Sequence, residues 1–121
     1  MVGLMKPAPV KPEIEFEDVE RLDVRTGTVL AVEAIPESRK LMKLTVDFGD
    51  HQRTIVAGIR QERETPEEIT GLQALFVVNL KPRTMAGVTS EGMLFDIGYA
   101  DGVTPVLAVP ENPVPNGARA G

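Results

Sequence analysis

The sequence predicts a mainly β domain in which five or six short strands close into a small barrel or sandwich. Apolar and polar residues alternate from Met42 to Phe48, which is typical of a strand with one buried face. Further short β-rich runs are separated by glycine and proline, and one short helical segment precedes the fourth run. With 121 residues, of which 42% are hydrophobic, the chain can bury one core.

The first third of the chain predicts a leader, a helix and a long strand. Residues 1–14 are rich in proline and are expected to form a flexible leader to a single domain over residues 15–121. Apolar residues near helical spacing predict a short helix over residues 15–22. The β-rich run 23–35 predicts the first strand, in which Gly27 marks a bulge or a sharp coil.

The middle of the chain predicts a hairpin and one helical turn. After the alternating strand, Gly49 and Asp50 turn the chain, and residues 53–58 return as its hairpin partner. Thr65 followed by Pro66 has the composition of a helix start, with Thr65 as the N-cap and Glu68 closing a capping box.

The last third predicts three more strands. Residues 75–80 are apolar except for Asn79 and predict a strand buried on both faces. A loop over residues 81–87 separates this strand from another at 92–97, and 106–109 predicts a last short strand. The tail 110–121 is rich in proline and glycine and cannot be a helix.

A five-stranded Greek-key barrel with a short helix between its third and fourth strands is the oligonucleotide-binding (OB) fold, which this order of elements favours. Phe48, Phe76 and Phe95 fall in strand patterns and are predicted core residues. Few aromatic rings remain to stack bases along a single strand. A nucleic-acid binder of this composition would depend on a local pocket, cations and shape.

Charge is unevenly distributed along the chain. The net charge is −5, which is unlike a strongly basic nucleic-acid binder. Acidic residues dominate 13–23, whereas 39–60 is basic. The cations of the basic stretch are Arg39, Lys40, Lys43, Arg53 and Arg60. They are either a local basic face or ordinary solvated surface, and the second is the default interpretation of such charges.

The sequence offers little for catalysis, metal binding or membrane insertion. Without cysteine, and with His51 as its single histidine, the chain has no disulfide, thiolate zinc site or multi-histidine metal site. Ser38 and Ser90 lack a nucleophile motif, and no phosphate-binding or dinucleotide-binding glycine motif occurs, so we expect neither an enzyme nor a cofactor. No apolar run spans a bilayer and no secretory signal precedes the domain, so a cytoplasmic protein is expected.

The segment from Asn79 to Leu94 concentrates residues that can contact a ligand. Lys81 and Arg83 flank a proline that stiffens their loop, and two methionines offer polarizable surface to a base. Each residue taken singly has an ordinary structural role, so the prediction depends on their clustering. The candidate contacts of this segment are Asn79, Lys81, Arg83, Met85, Ser90 and Met93.

Several ordered motifs resemble those of the tRNA-binding domain family, which includes the C-terminal domain of methionyl-tRNA synthetase, free-standing tRNA-binding proteins and the export chaperone CsaA. The motifs lie at residues 23–27, 39–49, 54–59, 79–94 and 114–117. The resemblance implies an OB-fold barrel with short helices and a C-terminal extension that pairs two subunits into a homodimer. It also implies structure-specific binding of tRNA without catalysis, either free-standing or as an accessory to methionyl-tRNA synthetase.

The resemblance places Lys81, Arg83, Ser90 and Met93 at the RNA surface, with Asn79, Lys40 and Lys43 as neighbours. Two alternatives stay open. The first is a CsaA-like chaperone that binds unfolded or secretory polypeptides, in which a polar segment would replace residues 55–59 and the Gly92-Met93 pair would be absent. The second is a subunit that docks onto an aminoacyl-tRNA synthetase, which would supply most of the tRNA affinity.

Overall fold

The computed structural model describes residues 5–121 as a curled, mainly β structure built on one central sheet. The strands of this sheet are β1 (Val24–Ala34), β2 (Met42–Asp47), β3 (Gln52–Ala57), β4 (Gln73–Val77), β7 (Met93–Leu94) and β10 (Arg119–Ala120). Five of them run in the order β3-β2-β1-β4-β7, the sixth, β10, pairs with β1, and all the pairings are antiparallel. Two small ribbons, β5 (Arg83–Met85) with β6 (Val88–Ser90) and β8 (Asp96–Ile97) with β9 (Val106–Leu107), complete the strands. This architecture is consistent with the predicted OB-like barrel.

The long strand β1 pairs with a different strand along each of its halves, and this pairing curls the sheet. Its first half pairs with β4 and its second half pairs with β2. The register shifts between Val29 and Ala31, so the bulge predicted at Gly27 lies instead about Leu30. Gly27 is needed for packing, because a Cβ at this position would lie 2.5 Å from Cγ1 of Val46 and 2.9 Å from Cε1 of Phe48.

The hairpin of β2 and β3 follows the predicted alternation. Met42, Leu44, Val46 and Phe48 are all buried, while the residues between them are partly exposed. The Phe48 ring meets Phe76 edge to face, with ring centroids 5.5 Å apart. These side chains form the barrel core together with apolar residues of β1, β3 and β4.

Helical structure is short. Helix α1 (Phe16–Glu20) lies within the predicted range, and its first turn is closed by the Glu15 N–H, which donates to Asp18 Oδ2 at 3.1 Å. A 3-10 turn follows at Pro66–Ile69. The capping box predicted there is wrong: Thr65 makes no side-chain cap, and the Glu68 carboxylate accepts from Arg63 at 2.8 Å. Among residues 5–121, no helix is long and apolar enough to cross a membrane.

The region after β4 departs most from expectation. The strand predicted to reach Leu80 ends at Val77, and Leu80 is 44% exposed. The predicted loop 81–87 contains β5 and the turn of the β5–β6 ribbon, and β6 follows it directly. The strand predicted at 92–97 is split at Phe95, whose side chain is 44% exposed rather than in the core.

The C-terminal tail has no helix, as its prolines predict, and it ends in β10. This strand pairs with Val24 and Arg25 of β1, which β2 does not reach, because β2 pairs with β1 only from Thr28 onward. Asn116 fixes the approach to β10, because its Oδ1 accepts from Thr28 at 2.8 Å and from Gln73 at 3.0 Å. The tail is therefore part of the barrel wall.

Candidate nucleic-acid interface

One cleft of about 960 Å³ gathers most of the predicted contact residues on one face of the barrel. Its walls come from the segment before β2, the segment after β3, the β5–β6 ribbon and the chain from Gly92 to Tyr99. Of the eight predicted contacts, the six that line it are Lys40, Lys81, Arg83, Met85, Ser90 and Met93.

Three cations of the cleft have no side-chain partner among the described residues 5–121. The side chains of Lys40, Lys81 and Arg83 are exposed, and none takes part in the ion pairs or side-chain hydrogen bonds among residues 5–121. Because no carboxylate of the described chain neutralises them at contact distance, their charge is available to an anion in the cleft.

A network of backbone contacts fixes the position of Lys40. Ser38 Oγ accepts from the N–H of Lys40 at 3.2 Å and of Leu41 at 3.0 Å. The N–H of Arg60 donates to the Lys40 carbonyl at 3.1 Å, and its guanidinium donates to the carbonyls of Ile35 and Ser38. Arg60 is therefore a structural cation, although the sequence placed it in the basic stretch.

The β5–β6 ribbon holds Arg83 and Met85. Arg83 pairs with Ser90 and Met85 with Val88 across the ribbon, and the hydroxyls of Thr84 and Thr89 meet at 3.1 Å. The turn is formed by Ala86 at φ 49° and Gly87 at φ 79°, a conformation in which two successive residues take positive φ.

Ser90 joins this ribbon to the barrel. Its side chain is buried; Oγ accepts from the Val56 N–H at 2.9 Å and donates to the Gly92 carbonyl at 2.9 Å. The hydroxyl thus stabilises the wall of the cleft through its neighbours.

Close packing at Gly92 sets the path of the chain into Met93. At φ 158°, a Cβ on Gly92 would lie 2.8 Å from the Val77 carbonyl oxygen and 2.9 Å from Ile55 Cδ1. The next residue, Met93, is 44% exposed and lines the cleft with Leu80. The cleft therefore has an apolar strip beside its cations.

Two predicted contacts lie outside the cleft. Lys43 is on β2, opposite Glu33 on one side and Val56 on the other. Asn79 ties β4 to the start of β1, because its Oδ1 accepts from the Asp23 N–H at 2.9 Å and its Nδ2 donates to the Arg21 carbonyl at 2.7 Å.

The acidic stretch 13–23 does not line the cleft. Its last member, Asp23, accepts from Arg25 at 2.9 Å and 3.0 Å, and this hydrogen-bonded pair lowers the pKa of the Asp23 carboxyl. Asp18 lines a separate depression that shares Leu80 with the cleft.

Glu62, Asp96 and Tyr99 are among the cleft residues that sequence reasoning missed. Glu62 and Asp96 line the cleft, and burial together with the nearby Asp96 charge raises the pKa of the Glu62 carboxyl. Tyr99 lines it with 73% of its side chain exposed. The one signal for Tyr99 in the sequence is that it is the single tyrosine of the chain.

His51, Ser38 and Ser90, the side chains considered for catalysis, form hydrogen bonds with other groups and not with one another. His51 Nδ1 lies 2.6 Å from Asp50 Oδ1, and Nε2 accepts from Arg53 Nε at 3.0 Å. Among residues 5–121, neither Ser38 nor Ser90 hydrogen-bonds to this ring.

Comparison with known proteins gives a consistent result. The family model described as "Putative tRNA binding domain" matches residues 24–119. A methionine–tRNA ligase of Parabacteroides distasonis is 42% identical over 114 residues, which are 94% of this chain and 16% of the enzyme. A methionine–tRNA ligase of Archaeoglobus fulgidus is 45% identical over 109 residues, or 90% of this chain and 16% of the enzyme. The chain thus spans about a sixth of these curated relatives.

Two solved structures are similar over nearly the whole chain. The crystal structure of a MetRS-related protein from Pyrococcus horikoshii superposes with a TM-score of 0.84 at 37% identity, covering 92% of this chain and all of that one. The chaperone CsaA from Bacillus anthracis superposes with a TM-score of 0.79 at 33% identity, covering 91% of this chain and all of that one.

Proposed function

Because the chain belongs to the putative tRNA-binding domain family, we propose that it binds structured tRNA through the cleft, as a homodimer and without catalysing a reaction. The observation that supports this most strongly is the set of three cations, Lys40, Lys81 and Arg83, which line one cleft and have no side-chain partner in the part of the chain that the structure describes. Such cations bind phosphate oxygens and displace condensed counterions from RNA.

The arrangement suits recognition of shape more than of sequence. Lys40 comes from the segment before β2, whereas Lys81 and Arg83 come from the segment after β4, so the three charges can meet phosphates of different nucleotides. Met85 and Met93 add apolar surface to the same cleft. In this proposal Ser90 shapes the wall, and Lys43 and Asn79 contact RNA only where it extends beyond the cleft.

Absence of catalysis is supported by how the reactive side chains are used. Ser90 donates its hydroxyl proton to the Gly92 carbonyl, and both His51 nitrogens face charged side chains. Neither residue is therefore arranged as a nucleophile or as its base. The relatives named as ligases are enzymes about six times longer than this chain, so their activity is not transferred to it.

The homodimer is supported by exposed apolar side chains at α1. Phe16 and Val19 of the helix are 70% and 50% exposed, and Leu22, just after the helix, is 55% exposed. These side chains border the same depression as β10, so the tail and the helix together offer a continuous surface to a second copy.

The direct test is a gel shift with bulk tRNA on the wild-type chain and on a Lys81→Ala, Arg83→Ala double variant. We expect the double variant to weaken binding at least about tenfold, given roughly 1 kcal/mol for each charged contact. Lys6→Ala with Lys11→Ala is the matched control, because it removes the same charge from the leader. Equal loss in both variants, or wild-type binding that does not weaken as salt rises, would contradict the proposal.

A second candidate is the binding of unfolded polypeptide, which the likeness to CsaA and the exposed Leu80 and Met93 of the cleft favour. It predicts that the chain suppresses aggregation of a denatured client and that tRNA does not compete. Docking onto an aminoacyl-tRNA synthetase in the cytoplasm is compatible with either function, and co-purification from a lysate tests it.

A further inference from the structure

The cleft contains a second kind of charged surface, made by Glu62 and Asp96. Neither carboxylate accepts a hydrogen bond from, or pairs with, a side chain of residues 5–121, and both are only partly exposed. The exposed ring of Tyr99 lies on the same stretch of chain as Asp96. The cleft thus combines unpaired cations, unpaired acceptors and one aromatic face.

The two kinds of charge are carried by different segments of the cleft wall: Glu62 follows β3 and Asp96 begins β8, whereas Lys81 and Arg83 follow β4. Burial and the nearby charge of Asp96 raise the pKa of the Glu62 carboxyl, so these two carboxylates lie close together. A phosphate is attracted by Lys81 and Arg83 and repelled by the carboxylates. A bound RNA strand is therefore favoured when its phosphates contact Lys81 and Arg83 and another group faces Glu62 and Asp96.

The group that binds best to the carboxylates of Glu62 and Asp96 is a hydrogen-bond donor. Ionised carboxylates only accept, and among the bases cytosine, adenine and guanine carry an exocyclic amine that donates. Uracil presents carbonyl oxygens on either side of its single N–H, and carboxylates repel these. A base that turns toward Glu62 also brings its π face within reach of an aromatic ring, and stacking of this kind stabilises unpaired bases.

We propose that the cleft selects an unpaired, amine-bearing base of the bound RNA, with Glu62 and Asp96 accepting from its amine and Tyr99 stacking on its face. This inference rests on the proposed function, to which it adds a specificity that phosphate contacts cannot supply. In this inference Glu62, Asp96 and Tyr99 select the base. Lys81 and Arg83 bind the phosphates.

Two fluorescein-labelled RNA hexamers, all cytidine and all uridine, test this by fluorescence anisotropy at one fixed low salt concentration. They have equal length and equal charge, so the ratio of their Kd values isolates the base. We expect the wild-type chain to bind the cytidine hexamer at least about fivefold more tightly, as one lost amine contact predicts. Glu62→Gln should bring the ratio close to one, because an amide can also donate to the uracil carbonyl.

Matched variants separate the base contacts from general effects. Glu64→Gln removes the same charge from an exposed position outside the cleft and should preserve the ratio. Asp96→Asn should lower the ratio, and Tyr99→Leu should weaken both hexamers. Circular dichroism of each variant checks that the barrel is folded.

Three outcomes would overturn the inference. A wild-type ratio near one, or no binding of either hexamer, with tRNA binding intact would refute base selection and leave the proposed function standing. A ratio that Glu62→Gln and Asp96→Asn leave unchanged would assign the preference to other residues. Loss of binding to both hexamers and tRNA, together with capture of a fluorescein-labelled unfolded peptide, would refute the inference and the proposed function alike.

Discussion

Arg53 donates from Nη1 to the Glu91 carbonyl at 3.0 Å, so a residue outside the cleft holds the turn that forms one of its walls. The same nitrogen donates to the Val78 carbonyl at 2.7 Å, at the end of β4. One guanidinium thus ties the two chain segments that flank the β5–β6 ribbon.

Arg53→Ala should destabilise the chain by about 1.5–3 kcal/mol, because two carbonyls lose a charged donor. Urea denaturation followed by circular dichroism measures this. Arg39→Ala is the control, since Arg39 is exposed and has no hydrogen-bonded partner among residues 5–121. Equal stability of the two variants would show that the Arg53 contacts contribute nothing.

Gly27→Ala should destabilise the core by about 1–3 kcal/mol, the usual cost of overpacking. The new methyl group would press on Val46 and Phe48, which are both buried. Gly58→Ala is the matched control, because its nearest neighbour would be the Lys40 carbonyl at 4.0 Å. Thermal unfolding compares them, and an unchanged midpoint for Gly27→Ala would contradict the packing described here.

The Asp23–Arg25 pair should make stability depend on pH in the acid range. Because the pair lowers the pKa of Asp23 below its ordinary value of 3.8, the pair stabilises the folded chain above that pH. The contribution is lost as the pH falls further, through the folded-state pKa. Unfolding free energies at pH 7 and pH 2.5 should therefore differ more for the wild type than for Asp23→Asn. Glu111→Gln, at an exposed position in the tail, should retain the wild-type difference.

Val19→Asp should convert the proposed homodimer into a monomer, because it places a charge among the exposed apolar side chains at α1. Light scattering coupled to gel filtration gives the mass directly. Val10→Asp is the matched control, because it introduces the same charge in the leader, at a residue that is 98% exposed. Val19, on the helix, is only 50% exposed. A wild-type chain that elutes as a monomer, or a dimer that survives Val19→Asp, would rule out these side chains as the interface.

Local patterns predicted most of the barrel. Alternation placed β2 and its buried side chains correctly, since a sheet with one buried face leaves a period of two in the sequence. The capping box was misplaced because Thr-Pro-Glu-Glu fits the motif, yet Glu68 finds Arg63 instead. Phe95 was assigned to the core from its neighbours in sequence, but the strand breaks at that residue.

The site was predictable only in part, because long-range contacts decide which polar side chains are free. Lys81 and Arg83 lie close together in sequence, so their clustering was visible. The Asn79 side chain hydrogen-bonds to the backbone of Asp23 and Arg21, which are more than fifty positions away. No local sequence pattern predicts such a contact. Glu62 and Asp96 meet in the cleft for the same reason, by folding rather than by spacing.

The anchoring of the segment before β2 has a thermodynamic consequence for a chain with a net charge of −5. Ser38 and Arg60 already restrict the backbone that carries Lys40, so an incoming polyanion does not have to order that backbone. Association then costs less conformational entropy for each ionic contact that forms. A small number of rigidly mounted charges can in this way match the affinity of a larger number on mobile loops.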